Sequence, residues 1–297
     1  MFFKNKKKLI TAAACCLMLI PLSACNKNSN TKPNKINVVS SVNFYGDVAK
    51  QVGGKHVKVA SIINSNVDPH DFEPTINDAK KVDKADVVIA NGICYDDWMT
   101  NLIKNSNDKK QTDIDVGTLM HKKNGDNEHI WYDPQTMDKL ANKLAAVYSK
   151  KRPQDKKLYY HNANFYRQKW SKTTALIKQI KKYSHGKYVA VSEPVFDYSL
   201  ISMGYKISDN GFANAIEKGV DPSATDITHL QSDITHHKIA FFVNNIQASD
   251  PVVAGMVDLA KKNHVPIVNV SETKPPHKNY IQWMTGQYRQ VLHAQKQ

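Results

Sequence analysis

The segment Asp155–Tyr183 reads DKKLYYHNANFYRQKWSKTTALIKQIKKY and decides the fold. It contains neither glycine nor proline, the residues least compatible with a helix interior. At about 1.5 Å per residue, one helix here would be about 40 Å long. We predict a single rigid helix that connects two lobes, with two helices and an unmarked break as the alternative. Its apolar and aromatic residues recur at helical spacing: Leu158, Tyr159, Phe165, Tyr166, Trp170, Leu176 and Ile180.

Short β-rich segments alternate with amphipathic segments on both sides of this helix. Strands are predicted at Ile36–Ser40, Val57–Ile63, Asp86–Ala90, Thr112–Val116, Tyr188–Ser192, Tyr205–Ser208, Ile239–Val243 and Pro266–Val270. Helices are predicted at Val42–Val52, Thr75–Ala85, Tyr95–Asn105, Gln135–Lys150, Phe196–Met203, Asp226–His236, Asp250–Asn263 and Tyr280–Gln295. This alternation predicts an α/β fold with two (β/α) lobes and mainly parallel sheets.

The first residues of the chain are typical of a bacterial lipoprotein signal peptide. A lysine-rich start precedes the apolar segment Leu9–Leu22, which is too short to span a membrane. The sequence Leu22-Ser23-Ala24-Cys25 resembles a lipobox, which predicts cleavage before Cys25 and a lipid on its sulfur. An ordinary signal peptide is the alternative. The predicted division is 1–24 signal peptide, 25–35 tether, 36–154 N-terminal lobe, 155–184 connecting helix and 185–297 C-terminal lobe.

Charge and cysteine content exclude several classes of protein. Losing the four signal-peptide lysines lowers the formal net charge from +14 to +10. We do not expect nucleic acid as a partner, because the lysines are spread along an exported chain. Cys15 and Cys16 leave with the signal peptide, so Cys94 is the only free thiol of the mature chain and no internal disulfide can form. Cys94 follows a strand, and we expect it to be a small buried residue.

Two histidines stand in short acidic, proline-bounded motifs. They are Asp68-Pro69-His70-Asp71-Phe72-Glu73-Pro74 and Glu128-His129-Ile130-Trp131-Tyr132-Asp133-Pro134. Neutral imidazole is a common metal ligand, and its second nitrogen usually needs an acceptor such as a carboxylate. We therefore predict His70 and His129 as metal ligands, with Glu73 and Asp133 as supporting acceptors. The remaining histidines lack such motifs and are expected at the surface, including His121, His161, His185, His229, His236, His237, His264, His277 and His293.

Two glutamates complete the predicted site. Ligands of open α/β sheets bind beyond the carboxyl ends of the strands, where Glu193 and Glu272 follow predicted strands. Glu193 has a second interpretation as a helix cap, and Glu272 as a surface acid. Two imidazoles and two carboxylates without a thiolate suit manganese, iron(II) or zinc. The sequence therefore predicts one divalent metal ion in the cleft between the lobes.

The motif pair resembles the metal-binding receptor lipoproteins of bacterial manganese and zinc ABC importers, over essentially the whole mature chain. The resemblance implies a C-clamp of two lobes that move little, with ligands at His70, His129 and Glu193. The family's fourth ligand is usually Asp, where this chain has Glu272. The resemblance also implies a monomer on the outer face of the cytoplasmic membrane, which passes its metal to an ABC permease and its ATPase.

Other functions stay open at this point. One alternative is a metal-dependent hydrolase, which needs an open coordination position and a base. A surface adhesin and a receptor for a chelate or haem are further alternatives. No His-Glu-x-x-His pattern is present, so we expect no enzyme activity. Relatives specific for zinc often carry a His-rich loop before the second motif, whereas the loop His121–Asn127 has one histidine. This difference favours manganese.

Overall fold

Two four-stranded parallel sheets organise the chain in the computed structural model, which describes residues 1–3, 35–64, 72–108, 110–208, 210–248 and 250–296. The first sheet has the order β2-β1-β3-β4, from β1 (Ile36–Val42), β2 (Val57–Ile63), β3 (Val87–Ala90) and β4 (Thr112–Asp115). The second has the order β6-β5-β7-β8, from β5 (Tyr188–Val191), β6 (Lys206–Ile207), β7 (Ile239–Asn245) and β8 (Ile267–Val270). The predicted parallel α/β architecture is confirmed.

Helices connect the strands and cover both sheets. The first half contains α1 (Asn43–Gly53), α2 (Ile76–Asp83), α3 (Asp97–Lys104), α4 (Val116–Leu119) and α5 (Thr136–Lys151). The second half contains α7 (Asp197–Ser202), α8 (Asn210–Glu217), α9 (Ala224–Thr235), α10 (Pro251–Lys262) and α11 (Tyr280–Ala294). Sequence analysis missed α8, because this short segment contains a glycine and buries only Phe212, Ala213 and Ile216.

Between the two halves lies α6 (Lys156–Ser184), one continuous helix of 29 residues. The predicted single helix is therefore confirmed, without a break. One face of α6 is buried, and this face packs against α1 and α5 of the first half and α11 of the second. The helix ends where His185 adopts a left-handed conformation with φ of 47°. Of the apolar residues predicted to line this helix, Tyr159, Tyr166, Trp170 and Ile180 lie on the buried face. Leu158 and Phe165 are exposed instead.

The two halves share one hydrophobic core, which is rich in aromatic residues. Trp131 and Tyr132 follow His129 directly, and both are fully buried. The hydroxyl of Tyr280 in α11 donates to the carbonyl oxygen of Trp131 at 2.6 Å. The hydroxyl of Tyr132 donates to the carbonyl oxygen of Ser271 at 2.7 Å. These bonds join the loop after β4 to the second half of the chain.

Residues Lys35–Gln297 form one compact unit. The lobe boundaries given above therefore stay a prediction, because the shared core does not separate the halves. None of the helices in the described part of the chain is long and apolar enough to cross a membrane.

The chain turns sharply after β3, and the turn exposes Cys94. Gly92, Ile93 and Cys94 all have positive φ, at 75°, 57° and 65°. Such angles are rare for a β-branched residue and cost conformational energy. The turn buries Tyr95 and directs Cys94 outward. The prediction that Cys94 is buried is wrong, because local hydrophobicity does not reveal this backbone conformation.

The bond from Tyr280 to Trp131 allows a test of the shared core. Tyr280→Phe removes a buried donor and leaves the carbonyl oxygen of Trp131 without it, so we expect a loss of about 1–2 kcal/mol in the free energy of unfolding. Urea unfolding followed by tryptophan fluorescence measures this loss. Tyr160→Phe, at a side chain that is 40% exposed on α6, is the control and should change stability by less than about 0.5 kcal/mol. Equal stability of the two variants would contradict a role for this bond.

Candidate metal centre

The imidazole of His129 lies at the centre of the candidate site and is fully buried. It precedes the 3₁₀ turn Ile130–Tyr132, and its Nδ1 lies 2.9 Å from Oδ1 of Asn127. The amide Nδ2 of Asn127 donates to the carbonyl oxygen of Pro194 at 2.7 Å, so Oδ1 must be the acceptor. His129 therefore carries its proton on Nδ1. This tautomer leaves the lone pair of Nε2 available to a metal ion.

A glutamate side chain faces Nε2 of His129. Oε1 of Glu217, the last residue of α8, lies 3.5 Å from this nitrogen. Glu128, Glu217 and His129 each offer one ligand atom, and these atoms all lie within 4.8 Å of one another. Histidine and carboxylate ligands at such distances suit a divalent transition metal.

Glu193 lies at the switch point of the second sheet. This residue follows β5, and its neighbour in the sheet, β7, ends at Asn245. In parallel α/β sheets, ligands bind where the strand order reverses in this way. The Nδ2 of Asn245 donates to Oε2 of Glu193. Glu193 makes no side-chain capping bond to the following 3₁₀ turn, so its carboxylate is not a helix cap.

Glu272 follows β8 and is 4% exposed. It is therefore not the surface acid of the second interpretation. The hydroxyl of Tyr95, which follows β3 of the first sheet, donates to Oε1 of Glu272 at 2.9 Å. Tyr95 is itself buried, and its ring lies 6.4 Å from that of His129. This hydrogen bond joins the carboxyl ends of the two sheets beside the imidazole.

Burial and like charge act together on Glu217. Its pKa is raised to about 9, first because burial disfavours the charged form. The negative charges of Glu128, Glu272 and Glu193 contribute next, in that order. The carboxylates are thus close enough to repel one another electrostatically. A cation placed among them would relieve this repulsion.

A cavity of about 610 Å³ leads to this group from the surface. Glu128 and Glu217 line it together with Asn127, Cys94 and Lys218. The exposed thiol therefore lies in the wall of the same cavity as the carboxylates.

The sequence-predicted site residues are not all brought together by the described structure. His70 lies outside the described residues. Glu73 is exposed, and Oδ1 of Asp133 accepts the backbone N–H of Gln135 at 2.9 Å, at the start of α5. The nine histidines named above are all exposed, as expected: His121, His161, His185, His229, His236, His237, His264, His277 and His293. His56 is the exception, because it is half-buried with its Nδ1 at 3.3 Å from Oδ2 of Asp155.

Sequence reasoning missed three residues of the site. Glu217 is the last residue of α8, a helix that the sequence analysis did not predict. The helical spacing of Phe212, Ala213 and Ile216, directly before Glu217, was the available signal. Glu128 belongs to the second histidine motif, but the motif did not predict it as a ligand. Asn127 was not considered, because only the tertiary structure brings Pro194 within reach of its amide.

Known proteins resemble this chain over most of its length. Residues 38–294 match the family described as zinc-uptake complex component A, periplasmic. The metal ABC transporter substrate-binding lipoprotein SloC of Streptococcus mutans is 30% identical over 207 residues, or 65% of this chain and 67% of that protein. The manganese ABC transporter substrate-binding lipoprotein PsaA of Streptococcus pneumoniae is 26% identical over 268 residues, or 84% of each chain.

A solved structure has a similar fold. The manganese-bound periplasmic metal-binding protein from Candidatus Liberibacter asiaticus superimposes with a TM-score of 0.69 at 18% identity. The match covers 88% of this chain and 100% of that one. At this identity the likeness supports the fold alone.

The raised pKa of Glu217 predicts how stability depends on pH in metal-free protein. Between the unfolded value of 4.5 and the folded value of about 9, the folded state binds the extra proton, so stability falls as pH rises. One such proton contributes a slope of at most about 1.4 kcal/mol per pH unit. Unfolding by urea between pH 5.5 and 8.5, with a chelator present, should show a smaller decline for Glu217→Gln than for the unmodified chain. Parallel declines would show that Glu217 does not carry this proton.

Proposed function

Because the chain belongs to the zinc-uptake complex component A family of periplasmic proteins, we propose that it captures one divalent transition metal ion outside the cytoplasm and delivers it to an ABC permease. The observation that carries this proposal is the buried imidazole of His129, whose Nε2 lies 3.5 Å from Oε1 of Glu217 and which forms a compact group with Glu217 and Glu128. Manganese or zinc is the cargo, with iron(II) as a further candidate. One ion binds per chain.

The ligand set proposed from the sequence is His70, His129, Glu193 and Glu272. Glu193 and Glu272 both contribute to the negative potential at Glu217, which supports their position around one centre. Glu217 and Glu128 are additional candidates, since their ligand atoms lie close to Nε2 of His129. The set is rich in oxygen and has no thiolate, so it suits a hard or borderline ion.

The residues of this chain prepare the site for a cation in three ways. Asn127 keeps the proton of His129 on Nδ1, so the ring stays a neutral donor toward the ion. Asn245 and Tyr95 each donate a hydrogen bond to a carboxylate and fix its orientation. Glu217 gives up its proton when the ion arrives, because a positive charge nearby favours the ionised carboxylate.

We further propose that the mature chain is a monomer anchored through lipid on Cys25 to the outer face of the cytoplasmic membrane. The relatives SloC and PsaA are named as lipoproteins, which supports the lipobox interpretation. Cys25 itself lies outside the described residues. The partners are the permease and its ATPase, as for other substrate-binding proteins of ABC importers.

The hydrolase, adhesin and chelate-receptor alternatives are less well supported. The relatives reported above are named as substrate-binding lipoproteins of transporters, and nothing in these comparisons favours hydrolysis. A receptor for haem or a chelate needs a broad aromatic cleft, whereas the cavity is lined mainly by polar and acidic side chains.

Removal of the central imidazole tests the proposed site. His129→Ala should lower the affinity for manganese and zinc by more than about a hundredfold, because even supporting residues of metal sites contribute 10–100-fold. Metal titration of chelator-treated protein measures this loss. His161→Ala, at an exposed position on α6, is the control and should bind like the unmodified chain. If His129→Ala still binds one ion tightly, the site lies elsewhere.

The charge of Glu272 should affect the two candidate metals differently. Glu272→Gln keeps the shape of the side chain but removes one negative charge, so manganese affinity should fall more than about tenfold. Zinc, which tolerates nitrogen-rich sites, should lose less. Parallel titrations with both metals measure the difference, and Asp258→Asn, at an exposed residue of α10, is the control. Unchanged manganese affinity would place the fourth ligand elsewhere and would favour an open site.

A further inference from the structure

A second cavity, of about 310 Å³, lies on the first sheet away from the candidate metal centre. Its floor contains Val39 of β1 and Ala60 of the edge strand β2, which are register partners in the sheet. Val39 also packs against Val82 of α2, so this is the face of the sheet that α2 covers. The floor of the cavity is therefore apolar, and α2 forms one wall.

Lysine side chains surround this apolar floor. Lys58 comes from β2, whereas Lys80 and Lys84 come from α2 and the residue that caps it. All of these lysines are exposed, and among the described residues none of them forms an ion pair. Lys81 also lines the cavity, but its Nζ bonds to Oδ1 of Asp78 at 2.8 Å.

Two acidic residues near the cavity accept hydrogen bonds from backbone N–H groups. Asp83 accepts the backbone N–H of Asn107 at 3.0 Å, and Asp86 accepts that of Asn37 at 2.7 Å. Of the described residues that line the cavity, none is acidic. The lining thus carries a net positive charge around an apolar surface. This combination fits an amphipathic anion better than a small hydrophilic one.

The position of the cavity in the chain suggests the source of such an anion. Asn37, in its wall, is the second residue of β1, and the segment that leads from Cys25 to the fold ends at Lys35. Lys35 is the tenth residue after Cys25, and a fully extended chain of ten residues reaches about 35 Å. A lipid on Cys25 would therefore keep this lysine-lined cavity within reach of the membrane surface.

We propose that the cavity lined by Lys58, Lys80 and Lys84 docks on anionic phospholipid, with phosphate groups on the lysines and the glycerol edge of the lipid on Val39 and Ala60. The inference rests on the proposed anchor at Cys25. The candidate metal centre lies at the carboxyl ends of the strands, whereas the anchor segment enters at the amino end of β1. Docking would thus hold the metal cavity away from the bilayer while it captures metal.

Lysine modification of the mature lipoprotein in vesicles tests this docking. Each lysine at an anionic surface contributes roughly a fivefold gain in partitioning, so phosphatidylglycerol vesicles should slow acetylation of Lys58, Lys80 and Lys84 at least about fivefold relative to phosphatidylcholine vesicles. Mass spectrometry measures each rate, and Lys172 and Lys262 are internal controls on exposed surfaces of α6 and α10. Salt at about 1 M should abolish the protection.

A double variant identifies the residues responsible. Lys80→Gln with Lys84→Gln should remove the protection of Lys58, whereas Lys172→Gln with Lys178→Gln should leave it intact. Equal acetylation rates in the two kinds of vesicle would overturn the proposal. Equal protection by inorganic phosphate added to phosphatidylcholine vesicles would overturn it in favour of a free-anion site. The intact mass of the same protein shows separately whether Cys25 carries lipid, so failure of the anchor and failure of the docking surface are distinguishable.

Discussion

The candidate site depends on one buried carboxylate, Glu272, and several half-buried ones close to one buried imidazole. Charged groups in a low-dielectric interior are costly unless hydrogen bonds or an opposite charge compensate them. Here hydrogen bonds reach Glu193 from Asn245 and Glu272 from Tyr95, while the pKa of Glu217 rises to about 9. In metal-free protein Glu217 therefore holds a proton at neutral pH, at the place where we propose that the cation binds. In that proposal the proton and the cation compete for the same place.

The two sheets contribute to the site in equivalent ways. Their strand orders, β2-β1-β3-β4 and β6-β5-β7-β8, correspond to each other. Asn91 follows β3, and Asn245 ends β7, the strand in the same position of the second sheet. Asn91 donates to the carbonyl oxygen of Glu128 at 3.0 Å, whereas Asn245 donates to the side chain of Glu193. Each sheet thus uses a buried asparagine at its switch point to position one acidic residue.

The shared aromatic core holds the carboxyl end of β3 and the carboxyl end of β7 in fixed relative positions. Trp131 and Tyr132 come immediately after the site and carry bonds to Tyr280 and Ser271 in the other half. Close-packed interiors transmit strain and resist gradual deformation. The family resemblance implies small lobe movements, and this core together with the unbroken helix α6 favours them. A site assembled in this way does not need a large closing motion to bring its ligands together.

Local patterns in the sequence predicted most of the fold and part of the site. The β/α alternation and the long helix were predictable, because hydrophobic periodicity reports directly on burial of one face. His129, Glu193 and Glu272 were found from motif and strand position. Glu217 was not, because its helix is short and its proximity to His129 arises only when the second half folds against the first. The exposure of Cys94 was not predictable from the sequence, because it follows from a turn in which Ile93 has φ of 57°. The role of Asn127 was not predictable either, because it depends on a hydrogen bond to Pro194, which is 67 residues away.

The central claim is that one divalent ion binds to Nε2 of His129 among carboxylates. Anomalous diffraction from crystals loaded with manganese, collected on both sides of its absorption edge, tests this claim most directly. We expect one strong anomalous peak within about 2.4 Å of Nε2 of His129 and of carboxylate oxygens from the second half of the chain. A strong peak at the exposed pair His236-His237, with none at His129, would contradict the account.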